Sequence, residues 1–275
     1  MSTTTVPAPA ARATAPRLRR LMSLTRAETL LLLRNRTALM YALALPVAFV
    51  LLFSVVGGIG REDAVGQEVS AGVLVTLLTI SLIFVVYYNI TTAYVARRED
   101  RVLQRLLTGS ASRLDVLLAP AVPPAVIVLA QVVLGYVAVT LLLDPPGLVN
   151  PVLVLLAAVG GTAVMVALAA ATAGMSRTVE SVQLTTLPVI VLVLPFAGMF
   201  PLPQGSVIDT VARFTPLRGV TDLLWLGLTG RDADGATLTF AETFVAAAQP
   251  LGVVILWTAL AAWAARRWMR WAPRR

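Results

Sequence analysis

Long apolar runs recur along this chain, and they constrain its fold more than any other feature. A helix needs about 20 apolar residues to cross the hydrocarbon core of a bilayer. The mean hydropathy is +0.84, and 58% of the 275 residues are hydrophobic whereas 13% are charged. The sequence therefore predicts an all-α polytopic membrane protein.

Six apolar runs are long enough to be predicted as transmembrane helices. Residues 1–16 are small, polar and proline-bearing, so we expect a disordered tail there. Thr25 and Glu28 have capping-box spacing just before an apolar run, which predicts an amphipathic helix along the membrane surface over residues 17–37. The predicted spans, all within one membrane domain of residues 38–265, are 38–56, 70–95, 116–143, 151–174, 184–200 and 244–265.

Small residues recur at four-residue spacing within the predicted span 151–174. Ala157 and Gly161 form one such pair, and Ala169 and Ala173 form another. Spacing of this kind suits close helix packing in membranes. It fits packing within the chain and packing against a second copy equally well.

The basic residues are distributed unevenly between the two sides of the predicted topology. All 22 are arginine and the net charge is +8. Of these, 18 lie in the two chain ends, in the loop after 70–95 or in the connector that holds Arg177. Cytoplasmic loops carry excess arginine and lysine, so we expect both termini, including the basic tail 266–275, to lie in the cytoplasm. The charge is then explained by topology and anionic lipid, and no nucleic-acid partner is expected.

Three residue types that usually carry chemistry are missing. The sequence has no cysteine, histidine or lysine, so it lacks thiolate and imidazole metal ligands. A phosphate-binding loop of the Walker A type needs a lysine and cannot form. The six predicted spans also have no ionisable residue in their cores, which disfavours an ion-coupled carrier. We therefore expect neither an enzyme nor a bound cofactor.

One charged loop stands out in this apolar chain. Ala96 to Asp115 contains five arginines and three acids. In helical projection its leucines share one arc with Glu99, and its arginines share the adjacent arc. The pattern predicts a short amphipathic helix and favours an interfacial helix on lipid, while docking to a soluble partner stays open.

The same loop resembles a segment of a known transporter family. "RREDRVLQRLLTGSASRLDVLL" is similar to the loop between the second and third spans of ABC type-2 permeases, the membrane subunits of bacterial exporters. Residues 24–53 look like the amphipathic connecting helix and first span of that family, and Phe214 to Gly230 like its extracellular re-entrant segment. The similarity is greatest to the drug-resistance, daunorubicin-type branch. The positions of the loop that match are Glu99, Arg101, Leu103, Leu106, Leu107, Thr108, Arg113 and Leu114.

The resemblance implies a division of labour between subunits. The loop would be a cytoplasmic coupling helix seated on a separate ATP-binding cassette subunit, which binds ATP and Mg²⁺. A second permease copy or homologue, membrane lipid and a hydrophobic or amphipathic cargo are the other implied partners. The implied docking residues are Glu99, Asp100, Arg101, Leu103, Gln104, Arg105, Leu106, Leu107 and Arg113. The implied functional residues of the connecting helix are Thr25, Glu28, Arg34 and Arg36.

Two other classes of function are consistent with the sequence. An ion-coupled secondary carrier would transport without any ATPase. A membrane scaffold subunit would bind partners without moving a substrate. The resemblance favours the ATP-driven exporter over both.

Overall fold

The structure is a computed structural model of the chain. It describes residues 66–100, 112–197, 205–232 and 235–269, together with eight single positions between 22 and 52. The predicted tails 1–16 and 266–275 lie outside these residues, apart from 266–269 at the end of the last helix. So do most of 17–37 and of 38–56, in which Thr25 and Ala48 are among the described helical positions.

The described ranges are helical, with a single isolated β-bridge between Arg231 and Thr237 and no strand within them. Five of the helices are long and apolar enough to cross a membrane. The other three are shorter and lie between the last two spans in sequence. The helices are α1 (Gly66–Glu99), α2 (Leu114–Leu142), α3 (Pro151–Met175), α4 (Val179–Phe196), α5 (Val207–Arg213), α6 (Pro216–Thr229), α7 (Phe240–Ala246) and α8 (Ala248–Trp268).

The five long helices correspond to the predicted spans from 70–95 onward, with shifted ends. Helix α1 extends beyond both predicted ends, and α4 begins and ends earlier than the predicted 184–200. The predicted span 244–265 begins inside α7, and the continuous spanning helix starts only at Ala248.

Local sequence signals explain where several helices begin. The Asn150 side chain accepts hydrogen bonds from the amides of Val152 and Leu153 at the start of α3, and Pro151 at the first helical position needs no such partner. Thr178 and Ser181 form a capping box at the start of α4. These caps satisfy the backbone amides that a helix leaves free at its first turn.

Successive long helices run in opposite directions and give the bundle two ends. We call one the Arg98 end, because α1 finishes there, and the other the Asn150 end, because α3 starts there. The Arg98 end also contains the beginning of α2 and of α4 and the end of α8. The carbonyl of Trp268 lies 2.5 Å from where a Cβ on Gly174 would stand, which shows that α8 and α3 finish side by side.

Helix α1 occupies the centre of the bundle and is buried around most of its circumference. It packs against α2, α3 and α6. Its middle section, Ser81–Tyr88, is a π-helix, a wider form that is often found at functional sites. Buried side chains on this section include Leu82, Val86 and Tyr87.

The small-residue pairs of α3 lie inside the chain. Ala157, Ala169 and Ala173 are all buried. A Cβ on Gly161 would lie 2.6 Å from Leu82 Cδ1, so glycine lets α1 and α3 approach closely. These pairs therefore serve helix packing within the chain, which resolves the choice that the sequence left open.

Helices α5 and α6 form a hairpin that enters the bundle and returns. The end of α6 is next to α3 at the Asn150 end, because the Asn150 amide donates to the Gly227 carbonyl at 2.8 Å. Val220 on the same helix reaches Gly161, ten residues or about 15 Å deeper along α3. The indole of Trp257 donates to the Phe214 carbonyl at 2.7 Å and holds the turn between α5 and α6 against α8. With 14 residues, α6 is about 21 Å long and too short to cross.

We expect Gly227→Ala to destabilise the protein, because the added Cβ would lie 2.8 Å from the Asn150 carbonyl oxygen and 2.9 Å from the Val154 nitrogen. Both atoms belong to the backbone and cannot turn away. Crowding of this kind costs about 1–3 kcal/mol, which thermal unfolding in lipid nanodiscs would detect as a lower midpoint.

Gly252→Ala is the matched control. Gly252 lies inside α8, and a Cβ there would have no atom within 4 Å. Its midpoint should stay unchanged or rise slightly, since alanine favours a helix by up to about 1 kcal/mol. Equal midpoints for the two variants would contradict the packing assigned to α6.

Candidate functional site

The predicted docking residues belong to the loop that leaves the bundle at its Arg98 end. Glu99 and Asp100 are exposed at the end of α1. Arg113 opens the first turn of the helical segment that contains α2, and its side chain is not described. The predicted docking residues that lie outside the described residues are Arg101, Leu103, Gln104, Arg105, Leu106 and Leu107.

The predicted residues of the connecting helix are also only partly described. Thr25 is helical, and its carbonyl accepts a hydrogen bond from the Thr29 hydroxyl at 2.9 Å. Glu28, Arg34 and Arg36 lie outside the described residues. The structure therefore leaves the functional role of this helix as a prediction.

Arg98 anchors the start of the loop to the end of α3. It is 1% exposed and is the penultimate residue of α1. The guanidinium donates from Nη1 to the Ala173 carbonyl at 2.8 Å and from Nη2 to the carbonyls of Ser176 at 2.7 Å and Arg177 at 3.1 Å. One cation thus binds the last turn of α3 and the connector that leads into α4.

The chemistry of a helix end explains why a buried cation is stable there. The last carbonyls of a helix have no partner within the helix and carry partial negative charge. Helix α3 has no basic residue in its own last turn. The Arg98 guanidinium from α1 supplies the missing donors and charge, and the carbonyls in turn compensate the cost of burying it.

Two tyrosines of α1 make further polar contacts near this end. Tyr94 donates from its hydroxyl to the Leu117 carbonyl of α2 at 2.5 Å. Tyr87 shares a hydrogen bond of 3.0 Å with the Thr172 hydroxyl of α3. Helix α1 is therefore bound by side chains to the helices on both sides of it.

Hydrogen bonds also hold the C-terminal end of the loop and the start of α4 in place. Ser112 and Asp115 form a capping box that begins the segment leading into α2. The Ser176 and Thr185 hydroxyls share a hydrogen bond of 2.6 Å, which joins the connector to α4. We call this set of contacts between α1, α2, α3 and α4 at the Arg98 end the Arg98 junction.

The sequence analysis did not distinguish Arg98 from the other arginines of the charged loop. It grouped Arg98 with Arg101 and Arg105, because these three arginines share one arc in helical projection. A signal was present, since α3 ends in "AGMSRT" without a cation in its last turn. That signal indicates that the last carbonyls of α3 need a hydrogen-bond donor from elsewhere. It does not indicate which arginine provides the donor.

A second group of charged residues lies on the α5–α6 hairpin. Arg213 and Asp209 form an ion pair of 3.0 Å, and Arg218 donates to Asp222 at 2.8 Å. Arg218 also lies 4.0 Å from Asp209, so two cations and two anions balance each other. The sequence analysis counted these arginines only as charges that set the topology, whereas in the structure the contact between Arg218 and Asp209 joins α6 to α5.

The arrangement at the Arg98 end is suited to mechanical coupling. Both ends of the loop 101–111 are attached to helices, and these helices are bonded to each other across α1, α2, α3 and α4. A force on the loop would therefore act on four spans together. The exposed carboxylates of Glu99 and Asp100 lie at the point where the loop starts.

This fold of apolar antiparallel helices is that of a multi-pass integral membrane protein. Residues 62–266 match the family model described as ABC-2 family transporter protein. The match covers well over half of the chain, so the chain belongs to the ABC-2 transporter family of membrane proteins. No curated protein matches this sequence.

We expect Arg98→Gln to loosen the Arg98 junction, because neutral glutamine cannot supply three charge-assisted donors to the end of α3. Hydrogen bonds to charged groups contribute about 1.5–3 kcal/mol each. A loss of about 2 kcal/mol would speed local amide exchange roughly 30-fold. Hydrogen exchange of residues 173–182, followed by mass spectrometry, measures this directly.

Arg97→Gln is the control at the neighbouring position of α1. It removes the same charge from a side chain that is only partly buried. We expect exchange over residues 173–182 to change less than about threefold there. Similar acceleration by both substitutions would show that charge, and not the Arg98 contacts, stabilises the end of α3.

Proposed function

We propose that this chain is the membrane-spanning permease subunit of an ATP-driven exporter. A separate cytoplasmic ATP-binding cassette subunit would bind ATP and Mg²⁺ and dock on the loop 101–111. The observation that carries the proposal is the Arg98 junction, which attaches this loop to four spans. Family membership supports the permease role, and the absence of lysine from the sequence supports a partner that carries the phosphate-binding loop.

The loop has the composition of a docking helix. Leu103, Leu106 and Leu107 share an apolar arc, and the adjacent arginines would fix the register on an acidic partner surface. The exposure of Glu99 and Asp100 leaves both carboxylates available to that partner. Arg113 and the connecting-helix residues Thr25, Glu28, Arg34 and Arg36 would complete the contact.

Movement of the loop would reach the spans through short polar contacts. Closure of two ATP-bound subunits would shift the end of α1, and Arg98 would carry α3 and the start of α4 with it. Tyr94 would carry α2 in the same way. With a second permease copy, such a shift would switch a path between the subunits from inward to outward access.

The orientation follows from charge. The Arg98 end holds Arg97, Arg98, Arg177, Arg266 and Arg267 among the described residues. The half of the bundle nearer the Asn150 end contains Arg213, Arg218 and Arg231, and each of them forms an ion pair with a carboxylate. The excess of arginine at the Arg98 end supports placing it, and both termini, in the cytoplasm of a bacterial cell.

The chemical class of the cargo follows from the side chains that would line a path between the spans. The spans present apolar side chains, which suit a hydrophobic or amphipathic compound such as a drug, an antibiotic or a lipid. The similarity of the loop to the daunorubicin-type branch supports export of this kind of compound. The direction of transport rests on that similarity.

Substitution of Leu103 and Leu106 by Asp should release the ATPase subunit, because two charges would enter the apolar arc that docks. The measurement is affinity purification of the chain from native membranes, with identification and quantification of the bound cytosolic ATPase. We expect at least a tenfold loss of that subunit. Ser110→Asp adds a negative charge to the same loop outside the docking residues and should retain the subunit.

Three results would contradict the proposal. An ATPase that stays bound to the Leu103→Asp, Leu106→Asp variant would show that docking occurs elsewhere. Transport by the purified chain alone in liposomes, driven by an ion gradient, would establish a secondary carrier. A complex that hydrolyses ATP without moving any compound would establish a scaffold.

The natural absence of cysteine allows a direct test of orientation. Ala236→Cys places a thiol in the exposed loop on the Asn150 side, and Ser110→Cys places one in the docking loop. A membrane-impermeant maleimide should label Ala236→Cys in intact cells and Ser110→Cys only after permeabilisation. The reverse pattern would invert the proposed topology.

A further inference from the structure

An apolar crevice of about 190 Å³ lies in the half of the bundle near the Asn150 end. It is separate from the Arg98 junction and from the docking loop. Four helices and the turn between α2 and α3 contribute to its walls. The residues that define it are Leu74 of α1, Val133 and Val137 of α2, Leu148 of the turn, Val154 of α3 and Leu224 of α6.

The crevice opens on the outer surface of α2. Val133 is 62% exposed and Val137 is 48% exposed, and both lie on a helix that is long and apolar enough to cross a membrane. At the inner wall, Leu74 is 4% exposed and Leu224 is 1% exposed. The crevice therefore leads from the exposed outer surface of α2 to the core of the described bundle.

The turn between α2 and α3 forms a fixed roof. The amides of Val149 and Asn150 donate to the carbonyls of Leu228 and Gly227 at 3.4 and 2.8 Å, which ties the roof to α6. Leu148 has a φ of 50°, a left-handed conformation that is unfavourable for a side chain with a Cβ. Such conformations persist where the surroundings enforce them and are common at binding sites.

The polar group nearest the crevice is already bonded to this roof. Tyr136 lines the crevice with its ring, and its hydroxyl donates to the Pro146 carbonyl at 3.4 Å. The other lining side chains are aliphatic. A ligand with a polar or charged group would find no partner inside.

We propose that the crevice binds one acyl chain of a membrane lipid from the leaflet at the Asn150 end. The walls match the chemistry of an alkyl chain, and the mouth faces the phase in which such chains are most abundant. An apolar cavity of about 150 Å³ is known to accommodate benzene, so the crevice has room for a segment of about six carbons. The headgroup would stay outside at the membrane surface.

A bound chain would contact the re-entrant helix α6 directly. Leu224 and Leu228 of α6 form one wall of the crevice, while the opposite face of α6 packs on α8 through Gly219. An acyl chain between α2 and α6 would therefore support the position of α6. This role concerns lipid and stands independently of the proposed export function.

Photocrosslinking tests the proposal. The full chain, in the complex in which it purifies, is placed in nanodiscs of phosphatidylcholine that carries a diazirine within one acyl chain. After irradiation, we expect adducts on Leu74 and Leu224, which bulk lipid cannot reach because they are buried. Absence of adducts on both residues in the unmodified protein overturns the proposal, whatever any variant does.

Val133→Trp should close the mouth and lower the adducts on Leu74 and Leu224 at least fivefold. Val126→Trp is the matched control, because Val126 lies two turns earlier on the same face of α2 and is 59% exposed without lining the crevice. It should leave those adducts unchanged. Equal loss in both variants, or no loss in either, overturns the assignment of the entrance.

The other candidate occupants are the chain's own residues 38–56 and a second copy. Val137→Cys provides a unique thiol, since the natural sequence has no cysteine, and a thiol-to-photoreactive linker reports what covers the mouth. Predominant crosslinks to lipid support the proposal. Predominant crosslinks to residues 38–56 or to a second copy overturn it.

Discussion

The burial of Arg98 is the interaction on which the organisation of the Arg98 end depends. A guanidinium in an apolar bundle is stable only if its charge and donors are matched. Three carbonyls at the end of α3 and in the following connector provide that match, and they also gain the donors that a helix end lacks. Neither partner is stable there alone. The contact therefore fixes the distance between α1 and α3 just where the charged loop leaves the bundle.

Elsewhere the bundle is held by close packing and a few polar contacts, as expected in lipid, where burial of apolar surface gives little drive for helix association. Glycine at position 161 lets Leu82 approach α3. The hairpin of α5 and α6 adds a neutral group of two arginines and two aspartates and a hydrogen bond from Trp257 to its turn. Together these contacts place a helix that cannot span the membrane deep inside a bundle of helices that can.

Sequence reasoning succeeded where the signal was local or compositional. Apolar length identified α1, α2, α3, α4 and α8, because each run of residues is itself the measure of a span. The break at Ala247 was not predicted, since α7 and the start of α8 are both rich in apolar residues and the sequence there has no change in composition. The loop residues from Arg101 to Leu107 remain predictions, because they lie outside the described part of the chain.

What the sequence determined by itself is the class of the molecule: apolar runs require a membrane, the missing lysine excludes a phosphate-binding loop, and the motifs of the loop indicate the ABC-2 family. Tertiary structure decided which of several similar residues make the contacts that hold the bundle together. Arg98 and Arg101 are alike in sequence and in projection, and only the folded chain shows that Arg98 is buried, because α3 ends beside it. The crevice beneath Leu148 likewise exists only through the assembly of four helices. Contacts between residues that are far apart in sequence leave no periodic pattern in the sequence. Only the folded chain therefore reveals them.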